Sequence, residues 1–293
     1  MKKLIIVALS AVLAVMAVEP AHAQDQKVLA IIDTAIDSNK IPAVIYEACF
    51  TDSKTMGCPN KQTFMEGKGS ANSPVWPATQ IGNLGNVYHG HNMVQAALAV
   101  NPDVKIVFVR YADITSTNGA ISTQTKPLIN AIKWVSDNAS KFSIDAVSIS
   151  QSFVDTKQLA LCSDSTVVTS VASLNAQNIT TFAATGNNRR SDVVGFPSCV
   201  NGVVGVGALA SSIKTPTLYN MFDGSTNRGV GLDIVAPGNI SIVRYNGTTS
   251  ETSATSGATA IASSTYIKTN TSKSFAEFAS KLANVLGYPY ISK

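Results

Sequence analysis

Short apolar runs and amphipathic stretches alternate along the chain. Residues 28–32 are continuously apolar and end at Asp33, which predicts a strand buried on both faces, as in a parallel sheet. Further strands are predicted at residues 104–109, 145–150, 179–184, 202–208 and 233–236. Helical spacing of apolar residues predicts helices at residues 89–99, 125–138, 164–177 and 275–286, and one more that begins near Ser256.

This alternation predicts a single α/β domain over residues 24–293. Strands that alternate with helices form βαβ units, so we expect a mostly parallel sheet flanked by helices on both faces. Residues 38–80 interrupt the pattern, because they are polar and hold several Gly, Asn and Pro residues. They predict an insertion or extended loop, and loops of this length are often functional or mobile.

The first 23 residues are typical of a secretory signal peptide. Lys2 and Lys3 precede an apolar run over residues 4–18, and the small-x-small sequence AHA ends at Ala23. The run is shorter than the roughly 20 residues that span a bilayer as a helix, which disfavours the alternative of an uncleaved anchor. We therefore expect a secreted or periplasmic protein that has no membrane attachment after cleavage.

Charge and cysteine content narrow the possible partners and folds. The net charge is only +4 and the basic residues are scattered, so no nucleic-acid-binding patch is predicted. Four cysteines in an exported chain favour disulfides, for which three pairings exist. We favour Cys49 with Cys58 and Cys162 with Cys199. A zinc site is the alternative, disfavoured because the chain lacks a CxxC pair and the histidines lie far away in sequence.

In α/β proteins, ligands bind at the carboxyl ends of the strands. Four polar residues lie at such positions in the predicted fold: Asp33 and Asn187 follow predicted strands, and His89 and Ser256 lie at predicted helix starts. Beyond the signal, His89 and His91 are the only histidines. Each residue also has a structural alternative, since an aspartate often ends a turn and a lone histidine is often buried. The small residues at 253–263 fit either a loop, close helix packing, or a backbone that passes near a peptide.

Five separated segments together resemble subtilisin-type serine peptidases, the subtilases, and cover nearly all of residues 24–293. The segments are AIIDT at 30–34, HG at 89–90 with MV at 93–94, AATGN at 183–187, FPS at 196–198 with VVGVGA at 203–208, and DIVAPG at 233–238 ahead of TSGA at 255–258. The order Asp, His, Ser is that of subtilisin and differs from the order in chymotrypsin and in α/β-hydrolases.

The resemblance implies a subtilisin-like fold and a role for each residue. Ser256 would be the nucleophile and His89 its general base, while Asp33 would orient His89 and Asn187 would stabilise the oxyanion. Residues that would flank the substrate are Ser150, Gln151, Ser152, Ala184, Thr185 and Gly186. We expect polypeptide substrates, a monomer and no cofactor. No calcium site is identified, and calcium binding elsewhere stays open.

Several departures from the family pattern keep a second interpretation open. Ala254, Gly257 and Ala260 replace the usual Gly, Met and Pro around the nucleophile, and residues 24–32 are too few for an inhibitory pro-segment. The helix after His89 also lacks an inserted calcium-binding loop. A catalytically impaired binding or inhibitor-like module is therefore the alternative. A secreted esterase is disfavoured, because Ser256 does not lie in a GxSxG motif.

Overall fold

The computed structural model describes residues 26–53, 57–73, 84–114, 121–210, 222–270, 274–285 and 287–292. The predicted signal peptide, residues 1–23, lies outside these ranges. Within them, no helix is both long enough and apolar enough to cross a membrane.

The described strands and helices follow the predicted alternation. The strands are β1 (Val28–Asp33), β2 (Val44–Phe50), β3 (Phe64–Glu66), β4 (Lys105–Arg110), β5 (Ala112–Ile114), β6 (Ile121–Thr123), β7 (Ala146–Ile149), β8 (Thr180–Ala184), β9 (Val203–Leu209), β10 (Ile234–Pro237), β11 (Ser241–Val243), β12 (Thr249–Glu251), β13 (Ala283–Val285) and β14 (Tyr288–Tyr290). The α-helices are α1 (Leu84–Val87), α2 (His89–Val100), α3 (Thr125–Asn138), α4 (Thr156–Leu159), α5 (Ser165–Ala176), α6 (Ala254–Thr269) and α7 (Phe275–Ser280). Two 3₁₀ turns cover Ser38–Lys40 and Ala160–Ser163.

A ten-stranded sheet runs through the domain in the order β13-β14-β10-β9-β8-β7-β1-β4-β2-β3. The two edge strands, β13 and β3, pair antiparallel with their neighbours, and the strands between them run parallel. The mostly parallel α/β domain is therefore confirmed. Because parallel strands end at the same edge, residues that follow β1, β7 and β8 lie together there.

Helices cover both faces of the sheet, as predicted. Alternate residues of β1 face opposite sides: Ala30 and Ile32 pack in a core with α3 and α5, whereas Leu29 and Ile31 pack in a core with α2 and α6. Both sets are fully buried. A strand buried on both faces needs a continuous apolar sequence rather than an alternating one, which is what residues 28–32 provide.

Two segment predictions require correction. Within residues 38–80, predicted as an insertion or extended loop, β2 pairs parallel with β4 and so belongs to the main sheet. Its sequence, VIYEACF, is rich in β-branched and aromatic residues, which outweigh the polar surroundings. The helix predicted at 275–286 ends at Ser280, because Gly287, with φ of +88°, turns β13 into the antiparallel β14.

Both favoured disulfides are present. Cys49 in β2 pairs with Cys58 across Cα atoms 5.8 Å apart, and Cys162 pairs with Cys199 across 5.5 Å. The first closes a loop of the 38–80 segment. The second joins the 3₁₀ turn before α5 to the turn before β9, so it links two connections on one side of the sheet.

Candidate active site

Asp33 and His89 form a direct hydrogen-bonded pair at the carboxyl edge of the sheet. His89 Nδ1 lies 2.7 Å from Asp33 Oδ1, and the same oxygen accepts a 2.7 Å bond from the backbone N–H of Thr34. Asp33 is the last residue of β1 and is completely buried. The bond occupies Nδ1 of the imidazole, which leaves Nε2 as the nitrogen that can exchange a proton.

Backbone contacts fix where His89 stands. The N–H of Gly90 donates to Thr34 Oγ1 over 3.0 Å, and the N–H of His91 donates to the carbonyl of Ala35 over 3.2 Å. These bonds bind the first turn of α2 to the two residues that follow Asp33. The unsatisfied N–H groups of a helix start are thereby used to position the imidazole against the carboxylate.

Gly90 allows this close approach. A Cβ atom at that position would lie 2.5 Å from the ring of Phe108, 3.1 Å from the carbonyl of Ala35 and 3.2 Å from Asp33 Cβ. Only a residue without a side chain lets α2 begin so close to the end of β1. The glycine of the HG motif is therefore explained by its close packing against the Phe108 ring in β4 and against Asp33 and Ala35.

The environment of His89 raises its pKa above the usual 6.5. Burial of the ring lowers the pKa, but the charge of Asp33 and its hydrogen bond raise it by more. The pair is thus arranged to accept a proton on the imidazole and to hold the resulting cation. A base of this kind must be neutral before it can act, so its pKa sets the lower pH limit of activity.

Ser256 lies in the first turn of α6 and lines the same cleft as His89. Its hydroxyl donates a 3.2 Å hydrogen bond to the carbonyl of Ser150, and the Ser150 hydroxyl donates a 3.0 Å bond back to the carbonyl of Ser256. These reciprocal bonds tie the start of α6 to the residue after β7. The hydroxyl of Ser256, the candidate nucleophile, is therefore held in place by the Ser150 carbonyl.

The turn into α6 is tightly packed and contains an unfavourable backbone conformation. Ala254 has φ of +53°, in the left-handed region that costs an L-residue roughly 1–2 kcal/mol. A side chain at Gly257 would overlap the carbonyl of Gly238 and lie 2.7 Å from Thr252 Oγ1. The absence of a side chain at Gly257 is therefore a requirement of this backbone, and the positive φ falls on Ala254, another of the three unusual residues around the nucleophile.

Asn187 lies beside this turn with its amide oriented by hydrogen bonds. Its Oδ1 accepts from the backbone N–H of Thr255 over 3.2 Å and from Thr255 Oγ1 over 2.8 Å. Both contacts are donors, which fixes the oxygen on that side of the amide. The Nδ2 group is then free to donate to an oxygen atom in the cleft, as oxyanion stabilisation requires.

Asn227 shapes the loop that carries Asn187, and the sequence analysis missed it. This fully buried side chain accepts hydrogen bonds from the N–H groups of Asn188, over 2.8 Å, and Arg190, over 3.1 Å, and donates to the carbonyl of Thr185 over 3.1 Å. Asn227 lies in a turn-rich segment without periodicity, so no sequence pattern distinguished it from a surface asparagine.

A cleft of about 390 Å³ brings these groups together. Its lining residues are Thr34, Asn86, His89, Thr123, Ser150, Gln151, Ser152, Ala184, Gly186, Asn187, Asn188, Thr255 and Ser256. The predicted substrate-flanking residues thus line the cleft with the exception of Thr185, which is completely buried beneath it. Its neighbour Gly186 has φ of +109° and leaves no room for a Cβ against Ser152.

His91, the other candidate histidine, lies away from the cleft. It is only 2% exposed, and its ring meets the edge of the Tyr245 ring with centroids 6.2 Å apart. Burial lowers its pKa to about 4, so it is neutral and packed in the interior at ordinary pH. Among the described residues, no group of three or more His, Cys, Asp or Glu side chains is arranged to hold a metal ion.

The family model of the subtilases matches residues 24–274. A comparison with curated protein sequences gave no match. Among solved structures, one described as a psychrophilic protease, S41, is 19% identical with a TM-score of 0.60, covering 82% of this chain and 75% of its own.

Two other solved structures also resemble the chain, with lower TM-scores. A cold-adapted subtilisin-like serine proteinase is 21% identical with a TM-score of 0.53, covering 83% of this chain and 76% of its own. The prenylagaramide maturation protease PagA is 18% identical with a TM-score of 0.53, covering 81% and 72%. At these identities the structures establish a shared fold.

Proposed function

Because the chain belongs to the subtilase family of serine endopeptidases, we propose that it cleaves polypeptides with Asp33, His89 and Ser256 as its catalytic triad. In this proposal, Asn187 and the backbone N–H of Ser256 donate hydrogen bonds to the oxyanion. The observation that carries it is the 2.7 Å bond between His89 and buried Asp33, in a cleft that also contains Ser256 and Asn187.

The proposed reaction begins with attack by Ser256 on the peptide carbonyl. A serine hydroxyl is a poor nucleophile until a base takes its proton, so Oγ turns from the Ser150 carbonyl to His89 Nε2 as it attacks. Asp33 stabilises the imidazolium and keeps its own charge throughout. His89 then protonates the leaving amine, and the acyl group stays on Ser256.

Hydrolysis of the acyl-enzyme completes the cycle, with water as the nucleophile in place of Ser256. His89 removes a proton from the water, the hydroxide attacks the acyl carbon, and Ser256 recovers its proton as the carboxylic acid leaves. In each step the tetrahedral oxyanion is stabilised by Asn187 Nδ2. Losing such a donor costs about 3–4 kcal/mol of barrier, a magnitude that comes from subtilisin, a member of the same family.

Substrate binding is proposed along the two backbone segments that border the cleft. Residues 150–152 follow β7, and residues 184–186 begin at the last residue of β8. An extended peptide can pair with such a segment by main-chain hydrogen bonds. The same proposal includes a secreted or periplasmic location, a monomeric state and activity without a bound metal. Two disulfides support an oxidising compartment.

The impaired-module alternative rests on two features of the nucleophile turn. Ala254 occupies the left-handed region, and the Ser256 hydroxyl is bonded to the Ser150 carbonyl. We favour activity because the hydroxyl can rotate about a single bond and because the Asp33–His89 pair is intact.

A peptide library, read by mass spectrometry, tests the proposal. We expect the purified protein to cut internal peptide bonds, with EDTA leaving the rate unchanged, and the Ser256→Ala variant to cut none of them. Equal cleavage by both proteins would assign the activity to a contaminant. An intact library with both proteins would favour the impaired module.

A further inference from the structure

Three side chains that do not line the cleft form a stack. The rings of Tyr245 and Tyr88 are nearly parallel, at 4°, with centroids 3.7 Å apart. Lys40 Nζ lies 4.0 Å from the centroid of the Tyr245 ring. Because Tyr88 fills one face at that spacing, the ammonium covers the other, where a cation is attracted by the ring. We call Lys40, Tyr245 and Tyr88 the Tyr245 stack.

The Tyr245 stack joins three segments that are distant in sequence. Lys40 ends the 3₁₀ turn that follows β1 and Asp33, and Tyr88 immediately precedes His89. Tyr245 lies in the turn between β11 and β12, the hairpin that leads into α6 and Ser256. Each proposed triad residue thus has one member of the stack on its own segment.

Further contacts hold Tyr245 in this position. Lys40 Nζ donates a 3.0 Å hydrogen bond to the Tyr245 carbonyl and lies 3.5 Å from Asp37. The edge of the ring meets His91 at 89°. Tyr88 is only 9% exposed, and burial followed by its hydrogen bond to Tyr245 raises its pKa, so its hydroxyl stays protonated. The ring of Tyr245 is therefore enclosed by groups from both other segments.

Tyr88 transmits this restraint to the base. It is the N-cap residue of α2, and because its side chain makes no capping hydrogen bond, the side chain is held by its stacking contact with Tyr245. His89 is the next residue, and its Nδ1 must keep a 2.7 Å bond to Asp33. A shift of the Tyr88 backbone would move the imidazole relative to both Asp33 and Ser256.

We propose that Tyr245 is a positioning residue that sets the base against its carboxylate by stacking on Tyr88 and beneath Lys40, an inference that rests on the proposed function of the cleft. None of the three residues lines the cleft. Their effect should therefore fall on kcat and leave KM nearly unchanged, which separates positioning from substrate binding.

Four variants test the stack. Tyr245→Leu removes the ring, whereas Tyr245→Phe keeps the ring and loses only the hydroxyl. Val243→Ala is the matched control, because Val243 lies on the same hairpin and is 50% exposed. Lys40→Met removes the cation and keeps an apolar side chain. It replaces Tyr245→Leu as the test of the stack if Tyr245→Leu does not fold. Measurements are kcat, KM, the pH profile of kcat/KM, and the imidazole titration of His89 by NMR.

For Tyr245→Leu we expect kcat to fall on the order of 10-fold, less than the roughly 100-fold that a 1 Å displacement can cost. The pKa of His89 should fall toward 6.5, because a looser bond to Asp33 raises it less. Tyr245→Phe loses the hydrogen bond to Tyr88 and keeps the ring stack, so its changes should be clearly smaller than those of Tyr245→Leu. Val243→Ala should behave like the wild type. Lys40→Met should show the same changes at smaller size.

Each contrary result has a distinct meaning. Wild-type kcat and an unchanged His89 titration in Tyr245→Leu, or in Lys40→Met if that is the variant that folds, would overturn the inference. Equal losses in Tyr245→Phe would assign the effect to the hydroxyl and overturn the stack, and equal losses in Val243→Ala would assign it to the hairpin. If the wild type itself is inactive, the proposed function fails, and the NMR titration still decides the positioning.

Discussion

The two halves of the cleft are built in different ways. On one side, Asp33 and His89 form a side-chain bond of 2.7 Å, supported by backbone bonds to Thr34 and Ala35. On the other side, Ser256 is positioned by small residues and backbone contacts, and its hydroxyl donates to a carbonyl rather than to a partner side chain. We call these the base half and the nucleophile half.

The difference shows which kinds of substitution each half of the cleft should tolerate. The base half depends on specific donors and acceptors, and its sequence follows the family pattern. The nucleophile half depends on the absence of side-chain volume, and the replacements around the nucleophile, Ala254 and Gly257 among them, lie in this half. We therefore expect activity to be lost in the base half when a hydrogen bond is removed, and in the nucleophile half when the backbone geometry is changed.

The largest expected effect comes from removing a triad side chain from either half of the cleft. Ser256→Ala and His89→Ala should each lower kcat by at least about 10⁴-fold, because triad members act as a unit. His91→Ala should be much milder, since that ring lies outside the cleft. Steady-state kinetics on a peptide ester measure all three. A greater loss in His91→Ala than in His89→Ala would mean that the base half has been assigned to the wrong histidine.

Asn187 tests the link between the halves. Removing its amide in Asn187→Ala should lower kcat by about 10²–10³-fold with KM little changed. Thr255→Val is the comparison, because it keeps the Asn187 amide and removes one of the two donors that orient it. We expect a smaller loss of the same kind. Similar kcat values for Asn187→Ala and the wild type would exclude Asn187 as an oxyanion donor.

The pH profile isolates the base half. Because Asp33 raises the pKa of His89, kcat/KM should rise with pH through a midpoint above 6.5. Stability should change in the opposite sense: the contribution of the pair is complete below the unfolded-state pKa and is lost as pH rises through the folded-state pKa. Kinetics and thermal melting between about pH 5 and about pH 9 check both, because an unperturbed histidine side chain has a pKa of about 6.5. A midpoint below 6.5 would contradict the geometry of the pair.

The smallest effect concerns the nucleophile half alone. Ala254→Gly should stabilise the protein by about 0.5–1 kcal/mol, because relief of roughly 1–2 kcal/mol of left-handed strain exceeds the added flexibility of glycine. Ala260→Gly, inside α6, should instead destabilise by about 1 kcal/mol. Urea unfolding measures both changes. Destabilisation by Ala254→Gly would show that this turn is not strained.

Much of the fold could be predicted from the sequence because its signals are local. Continuous apolar strands and amphipathic helices located β1, α3 and α5 to within a residue or two. The strand β2 was missed because Gly, Asn and Pro residues around it dominate the local composition. The end of α7 was misplaced because Gly287 closes a hairpin whose strand partner, β10, lies far away in sequence.

The sequence predicted residues for the site but not the contacts between them. Asp33, His89, Asn187 and Ser256 were predicted because each stands near the end of a predicted element, and the last three line one cleft. The role of Asn227 and the stack on Tyr245 could not be predicted, because both depend on contacts between segments more than 35 residues apart in the chain. The positive φ of Ala254 likewise arises from packing that composition does not encode.

Labelling with a fluorophosphonate probe, followed by peptide mapping, tests the central claim most directly. The probe forms a covalent bond only with a serine that a neighbouring base activates. We predict a single adduct on Ser256 in the wild type, with labelling strongly slowed in His89→Ala and in Asp33→Asn. No adduct on the folded wild-type protein, or an adduct on a different serine, would contradict the assignment of Ser256 as the activated nucleophile.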